Sequence, residues 1–157
     1  MLNATNTVAN DFTAWANTPA NSSVITVNAS YLYGGLCDLV HYCFASVNSY
    51  SAFGTYTGNG SANGPFIYTG MRPRWIMTKA SSRLSSWYIH DTQRGTYNVI
   101  GPVLAANTPA SEITPTRLDI LSNGFKIRDN DTEYNALSDT YIYAAFAENP
   151  FAYARAR

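Results

Sequence analysis

The sequence is short of charge. Only 13% of its 157 residues are Asp, Glu, Lys or Arg, and 10 basic and 10 acidic side chains cancel to a formal net charge of zero. Globular chains carry about a quarter charged residues. Neutralising phosphates needs clustered Lys and Arg, so no nucleic-acid partner is expected, and no polybasic membrane surface either. No apolar run reaches the roughly 18 residues of a membrane helix, so no membrane insertion is expected. Cysteine is scarce, with Cys37 and Cys43 alone. A chain of this length buries a core large enough to need no disulfide framework. Met1-Leu2-Asn3-Ala4-Thr5 has neither the basic nor the hydrophobic region of a signal peptide, so synthesis in a cytoplasm is expected.

What the chain has instead is aromatic and neutral-polar. Aromatics make up 14%, twelve of them Tyr. Aromatic and β-branched residues favour strands, and Asn, Ser and Gly favour turns. Asn-x-Ser/Thr triplets begin at Asn3, Asn21, Asn28, Asn59 and Asn130. Without a signal peptide they read as by-products of an Asn/Ser/Thr-rich composition.

Self-comparison points to a repeat. Leu39-Val40-His41-Tyr42-Cys43-Phe44-Ala45-Ser46 parallels Tyr141-Ile142-Tyr143-Ala144-Ala145-Phe146-Ala147-Glu148, with Val40, Tyr42 and Phe44 alternating as Ile142, Ala144 and Phe146 do. Val27-Asn28-Ala29-Ser30 parallels Tyr134-Asn135-Ala136-Leu137, and Leu2-Asn3-Ala4 parallels Leu104-Ala105-Ala106. Residues 1–49 therefore read as the C-terminal half of a unit and residues 50–157 as a complete one.

Alternating stretches predict strands over Tyr50–Gly58, Phe66–Thr69, Arg74–Lys79, Trp87–Asp91, Arg117–Leu121, Gly124–Arg128 and Thr140–Ala147, with an irregular edge segment at Val99–Ala105. Gly58-Asn59-Gly60 and Ser122-Asn123-Gly124 read as tight hairpin turns. Trp75 and Trp87 are expected in the core. No stretch sustains a helical period. Short strands with turns every 8–12 residues predict an all-β protein. The expected form is an antiparallel two-sheet sandwich of jelly-roll or concanavalin-lectin-like type with an N-terminal partial repeat.

Long literal strings carry a family resemblance. The run from Tyr50-Ser51-Ala52-Phe53-Gly54-Thr55-Tyr56 to Phe66-Ile67-Tyr68-Thr69-Gly70 resembles a repeat domain common in tailed phages, including marine phages and cyanophages. The likeness continues through Arg72-Pro73-Arg74-Trp75-Ile76-Met77, Leu121-Ser122-Asn123-Gly124-Phe125-Lys126-Ile127-Arg128 and Thr140-Tyr141-Ile142-Tyr143-Ala144-Ala145-Phe146-Ala147-Glu148-Asn149-Pro150-Phe151. It implies a concanavalin-like sandwich in a virion structural protein, such as a tail fibre, head fibre, spike or capsid decoration. It brings no catalytic residues. Longer members carry whole units in tandem, whereas this chain opens inside one.

Residues able to carry chemistry are few. Cys37, His41 and Cys43 suggest a metal set, but on one strand at about 3.3 Å per residue the two thiols lie about 20 Å apart. Free, buried thiols are the expectation. His90 and Asp91 are adjacent on a strand and point to opposite faces, so they form no triad pair, and Asp91 with Arg94 reads as an ion pair. Glycoside hydrolysis needs two carboxylates flanking the bond. The Glu residues are Glu112, Glu133 and Glu148, each set singly. Asp129-Asn130-Asp131 is an oxygen-rich turn without the rest of a calcium loop. No catalytic residue, cofactor or metal is expected.

Aromatics remain as binding features. Tyr56, Tyr68, Tyr88 and Tyr97 are candidate contacts for a glycan or a neighbouring subunit, as are Phe151 and Tyr153 on the arm after the last strand. The expected function is a non-enzymatic virion structural protein that assembles with itself, a trimer being one form, and with other virion proteins, and that attaches to host surface polysaccharide. A glycan-binding lectin-like adhesin is the alternative.

Overall fold

The computed structural model describes residues 5, 21, 23–27 and 42–150. The chain divides into two compact units, Val8–Phe44, and Met1–Thr7 with Ala45–Arg157.

In the smaller unit the described residues include a turn built on Asn21. Its side-chain oxygen accepts from the backbone N–H of Ser23 and Val24, both at 2.8 Å, and its own N–H donates to the Val24 carbonyl. An Asn side chain that bonds its own backbone ahead replaces a strand partner. The strand expected over 39–46 is corrected in its described part. Residues 42–46 carry no regular secondary structure, and Tyr42 and Phe44 are exposed rather than packed on a common face. Val40, Cys37 and His41 lie outside the described residues. The buried-thiol expectation fails at Cys43, which is exposed.

The larger unit is almost wholly β. Its strands are β1 (Ser51–Thr57), β2 (Phe66–Tyr68), β3 (Pro73–Ala80), β4 (Tyr88–Asp91), β5 (Leu104–Ala105), β6 (Leu118–Leu121), β7 (Gly124–Ile127) and β8 (Thr140–Ala147), with one helical turn, α1 (Thr132–Asn135). They form a five-stranded sheet ordered β1-β8-β3-β4-β5 and a three-stranded sheet ordered β2-β7-β6. Every pairing is antiparallel. The two sheets face each other as an all-β sandwich. Ile76, Ala80, Tyr141, Ala145 and Tyr56 of the large sheet share one core with Ile67, Leu118, Ile120, Phe125 and Ile127 of the small one.

Register decides which residues reach that core. On the core face of β3, Ile76, Thr78 and Ala80 are buried opposite Ala145, Tyr143 and Tyr141 of β8. Trp75 and Met77 occupy the other face. The expectation that Trp75 and Trp87 fill the core is corrected: both are half-buried. Trp75 packs on Phe146 at 5.6 Å between ring centroids, and Trp87 lies under the Lys79 ammonium at 5.8 Å. Both faces of β3 carry large apolar side chains, so alternation there does not tell inside from outside.

Of the two turns expected from Asn-Gly dipeptides, the one at Ser122-Asn123-Gly124 forms and the one at Gly58-Asn59-Gly60 does not. β6 and β7 make a hairpin with Leu121 opposite Gly124, so the connecting residues are Ser122 and Asn123, and neither has positive φ. Gly124 belongs to the strand. A Cβ there would lie 2.1 Å from the Ile67 carbonyl oxygen, so glycine lets β2 approach β7. Gly58-Asn59-Gly60 is not a hairpin turn, because β1 pairs with β8 rather than β2. The segment wraps Asn135 instead. The Asn135 side-chain oxygen accepts from the Asn59 N–H at 2.7 Å, and its amide nitrogen donates to Asn59 Oδ1, the Ser61 carbonyl and the Asp129 carbonyl. Gly60, at φ +68°, donates its N–H to the Asn135 carbonyl.

Candidate functional site

Among the described residues of the larger unit, the candidate groups lie in the interior, in the loop beside α1 and on the rim of the small sheet.

In the interior, β4 turns His90 toward the core and Asp91 away from it, as expected for adjacent strand residues. His90 is fully buried, with Nε2 3.0 Å from the Tyr134 hydroxyl. Tyr134 is also buried and stacks on Tyr88, and its carbonyl accepts from the Tyr56 hydroxyl. Burial lowers the His90 pKa to about 3, with Arg94 and Arg117 adding to the effect. The imidazole is therefore neutral at ordinary pH and enclosed by the fold. A general base must reach its substrate within hydrogen-bond distance or through one water. A ring sealed between two sheets serves packing.

Asp91 faces the other way. Its carboxylate accepts from Arg94 Nε at 2.6 Å and from the backbone N–H of Gln93 and Arg94. Burial pushes this carboxyl upward, but the hydrogen bonds from Arg94 and Gln93 outweigh it and hold the pKa below the usual range. The ion pair expected between Asp91 and Arg94 is present. Arg94 continues to Glu112 at 2.7 Å.

The oxygen-rich loop is closed by a cation from its own chain. Arg117 Nη1 reaches Asp129 and, at 2.6 Å, Asp131, and the guanidinium lies 5.1 Å from the Tyr134 ring centre. Asp131 also caps α1 by accepting from the Glu133 N–H. Among the described residues no group of three or more His, Cys, Asp or Glu is placed to hold a metal ion. The remaining glutamates sit apart: Glu148 accepts from Arg72 at 2.6 Å, and Glu133 accepts from the Ser85 hydroxyl at 2.9 Å.

The tyrosines chosen from sequence separate into distinct environments. Tyr56 is 8% exposed, which corrects its reading as a surface contact. It is opposite Tyr141 in the β1–β8 register and stacks on that ring at 5.0 Å. Tyr88 is half-buried, with its ring against Tyr134. Tyr68 and Tyr97 are exposed, at 67% and 85%. Phe151 and Tyr153 lie outside the described residues. Sequence reasoning missed Phe66, which shares the outer face of β2 with Tyr68 and is 45% exposed. Its signal was available, since Phe66 and Tyr68 are two apart on an alternating strand. Near the end of β2 a shallow groove of about 270 Å³ is lined by Ser49, Gly70, Met71, Arg72, Ala147 and Asn149.

No curated protein and no solved structure matches the chain. A family model does match, over residues 1–150, so the chain belongs to the family described as Domain of unknown function (DUF7483).

Proposed function

We propose that this chain is a non-enzymatic structural protein of a tailed-phage virion, acting in assembly and in attachment to the host surface. One observation carries the reading: among the described residues the acidic side chains and His90 are engaged in holding the fold, while large aromatics stand on the outside. Glu112, Glu148, Asp91, Asp129 and Asp131 each neutralise an arginine of their own unit. Phe66, Tyr68 and Tyr97 present apolar surface without fixed charge. Exposed aromatics with few charges nearby are typical of surfaces that bind other macromolecules. The resemblance of the long strings in 50–151 to phage repeat domains supports the virion as the setting.

The test is mass spectrometry of purified particles from the phage that encodes the chain. The expected result is a fixed copy number per particle that survives a high-salt wash. Absence of the chain from washed particles would refute the proposal.

A glycan-binding adhesin is the second reading, favoured by the exposure of Tyr68 and Tyr97, since Tyr rings stack on sugar faces. It predicts saturable binding of the isolated chain to host envelope polysaccharide. Replacing Tyr68 and Tyr97 together by Ala should abolish that binding, and unchanged binding would remove the reading.

A further inference from the structure

Each sheet of a sandwich has two edges, and an open edge is a template for another chain. Among the described residues, two of the four edges are closed or short and a third is closed over half its length. On the β6 side, Asn98 acts as a surrogate strand residue: its amide oxygen accepts from the Ile120 N–H at 2.9 Å and its amide nitrogen donates to the Ile120 carbonyl at 2.8 Å. Next to it, Ile100 pairs with Leu118. β1 is closed over its first half by the Val47–Ser51 bridge and by Ser46, whose hydroxyl accepts from the Phe53 N–H. β5 is two residues long.

β2 is different. Pro65, Ile67 and Thr69 face β7, as shown by the Ile127-to-Pro65 and Thr69-to-Asn123 backbone bonds and by the pairing of Ile67 with Phe125. Phe66 and Tyr68 therefore turn their N–H and C=O groups to the opposite side, where no hydrogen bond from the described residues reaches them. Both side chains project from the outer face and are exposed. The strand combines unpaired backbone, exposed aromatics and no charged residue.

We propose that the β2 edge is a self-association surface that pairs with β2 of a second copy, antiparallel about a two-fold axis at Ile67. Strand parity leads to this partner. The residues whose backbone points outward are Phe66 and Tyr68, and a two-fold at Ile67 sets Phe66 of each copy against Tyr68 of the other. Each such pair exchanges both N–H···O bonds, and its side chains share one face. Aromatic cross-strand pairs of this kind stabilise sheets. The two small sheets become one continuous sheet across the axis. Charge does not oppose the contact: on that face Phe66 is next to Lys126 and Tyr68 is next to Gly124 within each copy, so the two lysines do not meet. An isologous contact of this form is the commonest way for identical chains to pair. The inference gives the assembly reading its contact and rests on that reading for its use in the particle. Pairing in solution stands or falls separately.

The experiment is sedimentation equilibrium of the full chain over a range of concentrations, with circular dichroism to check folding. Wild type is expected to reach twice the chain mass. Tyr68→Pro removes an outward N–H and leaves the β7 ladder intact, so it should give a folded monomer. Phe66→Glu and Tyr68→Lys, made singly, should each weaken pairing by about tenfold or more. The double variant should recover most of that loss, because the register sets position 66 against position 68 of the other copy. A wild type that stays monomeric throughout, a Tyr68→Pro dimer of unchanged affinity, or a double variant no tighter than the singles would each overturn the inference. If the chain is monomeric yet present in washed particles, the inference fails while the assembly reading survives.

Discussion

Mild acid should destabilise this protein, and one residue should account for it. His90 is sealed in the core with its pKa lowered from 6.5 to about 3 by burial and by the nearby Arg94 and Arg117. The unfolded chain takes up a proton at this position near pH 6.5, whereas the folded chain does so only near pH 3. Between those values the unfolded state binds more protons, so folding stability falls as pH falls. Each unit of pH below 6.5 costs about 1.4 kcal/mol, giving a loss of about 2 kcal/mol at pH 5 and about 3 at pH 4. The lowered carboxyls of Asp91 and Asp131 add their own loss only below about pH 4. The assay is urea denaturation at pH 7, 6 and 5 on wild type and on His90→Gln, whose amide can still meet the Tyr134 hydroxyl but does not titrate. Wild type should lose about 2 kcal/mol from pH 7 to pH 5, and the variant well under half of that. Equal losses in both proteins would show that His90 is not the titrating group, and the sealed-core reading would fail with it.

Further expectations follow from single contacts. Asn135→Ala removes a fully buried amide that bonds Asn59, Ser61 and Asp129, and should cost about 2–4 kcal/mol by urea denaturation. A cost below about 1 kcal/mol would mean that the 58–64 loop does not depend on it. Gly124→Ala forces a Cβ against the Ile67 carbonyl and should cost about 1–3 kcal/mol, seen as a lowered melting temperature. An unchanged melting temperature would refute the close β2–β7 approach. Arg117→Met breaks the contacts to Asp129 and Asp131 and should destabilise by about 1–3 kcal/mol, with the largest rise in amide exchange over 129–135. Uniform exchange would argue against a local clasp. Cys43 should be labelled by a thiol reagent in the native state, read by peptide mass mapping. Protection comparable to a core cysteine would contradict its exposure.

Period-2 alternation with turn residues was enough to read the strands of the larger unit, because antiparallel ladders need little else. The span expected for the last strand, Thr140–Ala147, matches β8 end to end. Faces were harder. Trp75 looks like core by size, yet Ile76 and Thr78 take the interior, since Ala145 and Tyr143 stand opposite them on β8. That choice depends on pairing with a strand near the other end of the unit and leaves no local trace. Tyr56 was misread for the same reason: its stacking partner Tyr141 is brought in by the β1–β8 register. The rim was half legible. Tyr68 was visible as an exposed aromatic, but which edge stays open depends on where Asn98 and Val47 fold back.

The abundance of asparagine, which in sequence looks incidental, has a structural use in a chain with so little charge. Asn98 completes the β6 edge, Asn107 accepts the Trp87 N–H at 2.9 Å, Asn135 gathers the 58–64 loop, and Asn21 closes its own turn. In each case a neutral amide supplies the donor or acceptor that a neighbouring strand would otherwise provide. A carboxylate could only accept and an ammonium could only donate, whereas an amide does both at one position. Asn98 and Asn135 use both functions at once. Capping by amides closes strand edges without adding charge, so the outer surface stays neutral. A neutral surface lets copies approach each other and other proteins without electrostatic cost. Asn98 closes the β6 edge in this way, whereas no amide of the described residues folds back on β2, where a neighbour can add a strand.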